Sequence, residues 1–304
     1  MNSKTTEAVK ELKKAKNAVI LAHTYQPGEV QDIADYVGDS YGLSVEASRT
    51  DADIIIFCGV RFMAETAHIL NPNRKVILPA PAAGCPMADM IDTSGLSALK
   101  AQHPDKLVMC YVNSTAQIKA LSDICCTSSN ALAIAKSLPE DTEIIFVPDR
   151  HLGTFIQEQT GRKMIFWDGC CPIHAQIEPF MIEQARKKHP NAPILIHPEA
   201  PAESRILCDY ALSTGGMCDF AAKSNENEFI IATELGLIHT LQKANPGKKF
   251  YPLSDKLVCP DMKAISAELV LAALEGSAGE EITLDKNLCL QARRSLDRML
   301  EFSK

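Results

Sequence analysis

The sequence predicts an α/β protein of three similar α/β domains, each a small parallel sheet covered by helices, arranged around a pseudo-threefold axis. Three observations predict it. Cys-Pro occurs at Cys85-Pro86, Cys171-Pro172 and Cys259-Pro260, spaced 86 and 88 residues apart. An apolar run leading into a polar cluster recurs with the same period, as AVILAHTYQP, LVMCYVNST and PILIHPEAP. Short, continuously apolar runs alternate with helical patterns, which is the mark of βαβ units whose strands are buried on both faces.

A repeat of about 87 residues is far longer than a solenoid unit and long enough to carry its own core. The units are expected at residues 1–84, 85–170 and 171–258. Within each, the first apolar run is followed by a helical stretch, of which 30–37 is the example in the first unit. A second polar segment follows, as GDSYGLSVEA, CTSSNALAIA and LSTGGMCDFA, running into a helix such as 131–138. The next strands are DIIIFCG, EIIFVPD and EFIIATE. Each unit closes on VILPAPAAGCP, MIFWDGCCP or FYPLSDKLVCP. A helix over 176–188 opens the third unit. Two further helices, 262–275 and 284–302, are too polar to stand alone, and residues 262–304 are expected to pack back on the first unit.

The 304 residues are 46% hydrophobic and 23% charged, which marks an ordered globular chain. A net charge of −7 argues against a nucleic-acid protein, which carries a basic patch or stripe. No apolar run reaches the roughly 18 residues of a membrane helix. The N-terminal MNSKTTEAVKELKKAKN is too polar for a secretory signal, so the cytoplasm is the expected compartment. The eleven cysteines are too sparse for a disulfide scaffold and odd in number, so they are expected to be small buried hydrophobes or metal ligands.

The repeat aligns residues that carry chemistry. His23, Tyr111 and His197 share one position, and Tyr25, Asn113 and Glu199 lie two residues further on. Residues two apart on an extended chain face the same side. At the carboxyl ends of parallel strands, where open α/β sheets bind ligands, three such pairs converge on one cavity if the units pack around an axis. Ser40, Ser128 and Thr214 are likewise in register, each before a helical pattern, and read as N-caps. Helix N-termini hold carboxylate or phosphate, so three of them suit a small polyanion.

Cys85, Cys171 and Cys259 stand where one unit hands over to the next. A Pro after each makes it a candidate helix N-terminus, where a thiol pKa is lowered. Three thiolates held together need a metal, either zinc or an iron–sulfur cluster. With three thiolates on a cubane, one iron stays open and acts as a Lewis acid. Cys170 adjoins Cys171, so either is a candidate ligand, and the period and the following Pro favour Cys171. His174 completes a Cys-x-x-His pair with Cys171, either as a zinc ligand or facing substrate. Cys58, Cys110, Cys125, Cys126, Cys208, Cys218 and Cys289 read as packing residues.

The motifs LAHTYQ, DIADYVGDS, FMAE, CPMA, YVNST, CTSSNA, PDRHLG, CPIH, HPEAP, STGGM and ATELGLIH span almost the whole chain in order. In these the sequence resembles the quinolinate synthase family. The resemblance implies three α/β domains around a pseudo-threefold axis and an oxygen-sensitive [4Fe-4S] cluster with three Cys ligands. It implies condensation of iminosuccinate (iminoaspartate) with dihydroxyacetone phosphate to quinolinate, phosphate and water in de novo NAD biosynthesis. Carried over by position, Cys85, Cys171 and Cys259 are the cluster ligands. His23, Ser40, Tyr111, Asn113, Ser128, His197, Glu199 and Thr214 match substrate contacts, and Tyr25 and His174 match residues near the chemistry. Cys170 and Thr24 are departures, the latter where Asn is common in the family. Glu199 is the expected general base, with His197 and Tyr25 assisting proton transfer and His23 and His174 positioning or protonating oxygens. An aspartate-oxidising enzyme is an expected functional partner. Two other readings stay open from the residues: an iron–sulfur hydro-lyase for another small hydroxy acid, and a zinc-stabilised binding protein. Neither G-x-G-x-x-G after a strand nor a P-loop is present.

Overall fold

The computed structural model describes residues 3–302, and in them the chain forms three separate sheets. The first contains β1 (Ala18–His23), β2 (Tyr36–Gly38), β3 (Ile54–Cys58) and β4 (Lys75–Leu78). The second contains β5 (Leu107–Tyr111), β6 (Ile124–Cys126), β7 (Ile144–Val147) and β8 (Met164–Phe166). The third contains β9 (Ile194–Ile196), β10 (Tyr210–Ala211), β11 (Glu228–Ala232) and β12 (Lys249–Pro252). All three run in the same order, second–first–third–fourth strand, with every neighbour parallel. A short β13 (Glu280–Glu281) adds antiparallel to the outer edge of β4 in the first sheet.

The sequence explains the strands. Ile55, Ile56, Ile145, Phe146, Ile230 and Ile231 are buried on both faces of their sheets, so apolar residues run on without alternation. Each unit also repeats one polar device. The carboxylates of Asp35, Asp123 and Asp209 accept the backbone N–H of Ile20, Val108 and Ile194 at 2.8, 2.7 and 2.8 Å. Each acid lies just before the second strand and pins the start of the first. This pairing fixes the register between the two strands three times over.

Several boundaries differ from the sequence expectation. The stretch 30–37 is not one helix: a helix covers Gly28–Ile33, and Val37 lies in β2. Extended backbone at Ala34 ends that helix, and β2 pairs with β1 from Tyr36 onward. The stretch 176–188 resolves into a helix over Pro179–Lys188, begun by a Pro in its first turn. In the tail, helices cover Ala267–Glu275, capped by Ser266, and Lys286–Glu301, capped by Asp285.

The tail spans two units and does not pack on the first alone. Ala267–Glu275 lies against the helices Ser3–Ala15 and Gly28–Ile33 of the first unit. Lys286–Glu301 lies mainly against the helix Ala116–Leu121 and β6 of the second. There Ser295 Oγ donates to the Lys119 carbonyl at 2.8 Å and Arg298 Nη1 to the Asp123 carbonyl at 2.8 Å. Arg293 Nη1 reaches back to the Leu70 carbonyl at 2.9 Å, so this helix staples the first unit to the second. Among the described residues, no helix is long and apolar enough to cross a membrane.

Candidate active site

In a sheet ordered second–first–third–fourth, the connections leave the first strand in opposite directions, and a crevice opens at its carboxyl end. That is where the polar clusters sit. His23 ends β1, Tyr111 ends β5 and His197 follows β9. The three crevices open into one cavity of about 200 Å³. It is lined by His23, Tyr111 and His197, by Tyr25, Asn113 and Glu199, and by Ser40, Ser128 and Thr214. His174, Cys85, Cys171 and Cys259 line it too. Every residue expected from the repeat or the resemblance is therefore present on one surface, and equivalent positions of all three units meet there. Cys170 does not line it; its backbone N–H faces Met90 Sδ instead.

A continuous hydrogen-bonded chain crosses the cavity wall. Tyr111 Oη donates to Glu199 Oε1. Glu199 Oε2 lies 2.7 Å from His174 Nδ1, and His174 Nε2 lies 2.8 Å from Thr233 Oγ1. Thr233 Oγ1 is 2.6 Å from Tyr25 Oη, which also approaches Thr214 Oγ1 at 3.3 Å. The rings of His174 and His197 stack at 4.5 Å between centroids. The backbone N–H groups of Tyr25 and Glu199 donate to Nδ1 of His23 and His197, at 3.1 and 3.3 Å. Each histidine thus points Nε2 away from its own loop. Among the described residues, Asn113 Oδ1 is buried with no hydrogen-bond partner.

Burial sets the electrostatics. It lowers His23 and His197 from the usual imidazole value to about 3, so both rings are neutral at physiological pH. For His23, nearby Lys263 adds to the effect. Burial opposes ionisation of Glu199, but His197, His174 and the hydrogen bonds from His174 and Tyr111 outweigh it. The carboxyl is held below the usual range and is charged. Tyr25 and Tyr111 are raised, first by burial and then by the charge of Glu199, and remain protonated donors. Without substrate, His23 and His197 therefore stand as neutral imidazoles. NMR of the ligand-free protein is expected to show neutral imidazole shifts for both from pH 5 to pH 8; titration of either in that window would contradict the assignment.

Two expectations about helix ends are corrected. Ser40 and Thr214 are not caps but first helical residues; the caps are Asp39 and Ser213, whose side chains accept from Gly42 and Gly216 N–H. Ser128 lies two residues before Asn130, which caps the helix Ala131–Ser137 by position and accepts from Thr127 N–H. The cysteines are not pre-lowered thiolates. Burial pushes Cys85 up to about 12 and raises Cys171 and Cys259. Of the three, only Cys171 caps a helix, the four-residue Pro172–Ala175, and burial outweighs that end. Cys259 adds to the rise at Cys85, and Cys85 to the rise at Cys171, as close thiols must. A metal ion relieves this, because it holds the sulfurs as thiolates.

Sequence reasoning missed Thr233, Asp149 and Glu234. Strand register aligns Val60, Asp149 and Glu234, each two residues past the paired end of its third strand. Asp149 Oδ2 accepts the Cys171 N–H at 3.2 Å, and Glu234 Oε1 accepts the Cys259 N–H at 3.1 Å. Glu234 also pairs with Lys263 at 2.9 Å, and Lys263 donates to the Tyr25 carbonyl. The loops of Cys259 and Tyr25 are so tied together. Gly236 lies in the same junction, where a Cβ would stand 2.8 Å from the Tyr25 backbone. The first unit has Val60 in place of a carboxylate, and there Asp261 Oδ1 takes the Gly84 N–H at 3.0 Å. The signal was available: Pro148-Asp149 and Thr233-Glu234 follow EIIFV and EFIIA at matching positions.

Fold and site together define a class: an α/β protein in which three structural repeats share one cavity lined by histidines, cysteines and a carboxylate. The family model described as Quinolinate synthetase A protein matches residues 7–301. The chain is 48% identical to the quinolinate synthase of Dehalococcoides mccartyi (strain CBDB1) over 292 residues, covering 96% of each chain. It is 50% identical to that of Methanosarcina barkeri (strain Fusaro / DSM 804) over 294 residues, covering 97% of this chain and 96% of the relative. It is 48% identical to that of Geobacter metallireducens (strain ATCC 53774 / DSM 7210 / GS-15) with the same coverage. The chain belongs to the quinolinate synthetase A family.

Proposed function

We propose that this chain condenses iminosuccinate with dihydroxyacetone phosphate, giving quinolinate, phosphate and water in the de novo route to NAD. The observation that carries this beyond family membership is the meeting of three equivalent residue sets, one from each unit, on a single buried cavity. We bound those units at residues 1–84, 85–170 and 171–258. The cavity suits a small acid: the two ten-residue helices Ser40–Arg49 and Thr214–Lys223 begin on it, and the positive ends of their dipoles favour anionic oxygens.

The donor set fits an iron–sulfur centre. Three soft thiol ligands, one just past the end of each unit, line one cavity and influence one another's charge. We assign Cys85, Cys171 and Cys259 as ligands of a [4Fe-4S] cluster with one open iron. When bound, that iron supplies Lewis acidity toward a departing hydroxyl.

The chain's own residues do the rest. His23, Ser40, Asn113, Ser128 and Thr214 bind and orient the carboxylates and phosphate. Glu199, charged and held by Tyr111 and His174, accepts a proton from substrate carbon. His174 and Thr233 link that carboxylate to the Tyr25 hydroxyl, so a proton taken at Glu199 has a path to an oxygen donor. Neutral His23 and His197 offer hydrogen bonds without adding charge. An aspartate-oxidising enzyme supplies the imine, and a reducing cytoplasm keeps the ligands as thiols.

The test is quinolinate formation by anaerobically purified protein given iminosuccinate and dihydroxyacetone phosphate. Appearance of quinolinate supports the reading. A brown, iron-loaded protein that forms none, but dehydrates another hydroxy acid, would replace it with the hydro-lyase.

A further inference from the structure

We propose that, in chain lacking its iron–sulfur centre, Cys171, His174 and Glu199 form a zinc site. His174 Nδ1 lies 3.2 Å from Cys171 Sγ and 2.7 Å from Glu199 Oε2. All three donor atoms lie within 4.8 Å of one another. Tetrahedral zinc, with bonds of about 2.3 Å to sulfur and about 2.0 Å to nitrogen and oxygen, holds its donors about 3.3–3.6 Å apart. His174 Nδ1 needs to part from Cys171 Sγ and Glu199 Oε2 by less than about 1 Å to admit the ion, and Cys171 Sγ and Glu199 close on it from within 4.8 Å of each other.

Local structure presents the donors together. Cys171 caps the helix Pro172–Ala175, which brings His174 round one turn onto the same side. Glu199 comes from the loop after β9 and is fully enclosed beside them. Each donor is also held from behind, as metal ligands are. His174 Nε2 meets Thr233 Oγ1, Glu199 Oε1 accepts from Tyr111 Oη, and the Cys171 N–H donates to Asp149. The fourth position opens onto the cavity and takes water, which is the three-plus-one pattern of exchangeable zinc.

The donor chemistry selects the ion. One sulfur, one nitrogen and one oxygen suit borderline-soft zinc, whereas magnesium and calcium require oxygen ligands. The thiolate and the carboxylate together balance the charge of a divalent ion. Binding displaces the Cys171 thiol proton to solvent, and the proton between His174 Nδ1 and Glu199 moves to Nε2, which then donates to Thr233 Oγ1.

Zinc and the cluster share Cys171 and so exclude each other. That consequence rests on the cluster assignment; the zinc site does not. Zinc bound first therefore blocks assembly of the centre and takes Glu199 and His174 out of use at the same time.

The test uses full-length protein freed of its centre under anaerobic conditions and titrated with zinc, followed by equilibrium dialysis, and with cobalt(II) as an optical probe. One ion per chain is expected, with thiolate-to-cobalt absorption. His174→Asn should weaken binding at least tenfold, while Cys85→Ala and Cys259→Ala should leave it unchanged. Loss in Cys85→Ala or Cys259→Ala equal to that in His174→Asn would overturn the proposal, because the ion would then sit on three thiolates. Absence of binding to the unmutated chain would overturn it too. A readout free of folding defects is alkylation of the unmutated chain, mapped by peptide mass spectrometry. Zinc should protect Cys171 and leave Cys85 and Cys259 reactive; equal protection of all three contradicts the site. In parallel, iron and sulfide are offered to zinc-free and zinc-loaded chain. Uptake by the former alone confirms exclusion. Uptake by neither counts against the cluster assignment and leaves the zinc result standing.

Discussion

Glu199→Gln is expected to lower kcat about 10²–10⁴-fold, the usual contribution of a positioned general base, while the visible spectrum of the iron–sulfur centre stays unchanged. Gln preserves the shape of the side chain and can still accept one hydrogen bond. It cannot hold the negative charge that Tyr111 Oη and His174 Nδ1 both address. Nor can it take a proton at neutral pH. The loss should fall on kcat more than on KM, since the substitution leaves in place the proposed substrate contacts Ser40, Asn113, Ser128 and Thr214, which line the same cavity. Near-normal turnover with an intact centre would remove Glu199 as the base. Loss of the centre itself would mean that Glu199 supports Cys171 and not the chemistry.

Cys171→Ala is expected to abolish both bound iron–sulfur centre and quinolinate formation, and Cys85→Ala and Cys259→Ala to do the same. Cys170→Ala should retain both. The adjacent pair makes this a sharp comparison, because the two side chains differ by one residue in sequence but point to different surroundings. Cys171 faces the cavity shared by the three units, and its N–H is tied to Asp149. Cys170 is off the cavity. Iron and acid-labile sulfide analysis reads the result directly. Retention in Cys171→Ala with loss in Cys170→Ala would reverse the assignment.

The repeat made most of this legible. A period set by Cys-Pro was enough to align strands, loops and cavity-lining residues, because a duplicated unit keeps its register wherever one position must reach the shared cavity. What the period did not carry was short or tertiary. β2 has three residues and too little pattern to separate from the helix before it. The caps were misplaced by one residue at Asp39 and Ser213, since in GDS and LST two adjacent polar residues compete, and the winner is the one whose oxygen reaches the third N–H. The thiols read as activated from their neighbours in sequence, but burial, which depends on three units closing together, dominates. Thr233 meets Tyr25 only after the third unit folds against the first, and it meets His174 from 59 residues away within the third unit, so no local spacing announces it.

The account rests on the proposal that one inorganic centre is held by the three cysteines that follow the three units, Cys85, Cys171 and Cys259. Iron and acid-labile sulfide content of protein purified without oxygen tests it most directly. About four of each per chain, in a brown protein with broad visible absorbance, is the expected result. A colourless protein with no sulfide and stoichiometric zinc, active in forming quinolinate, would contradict it.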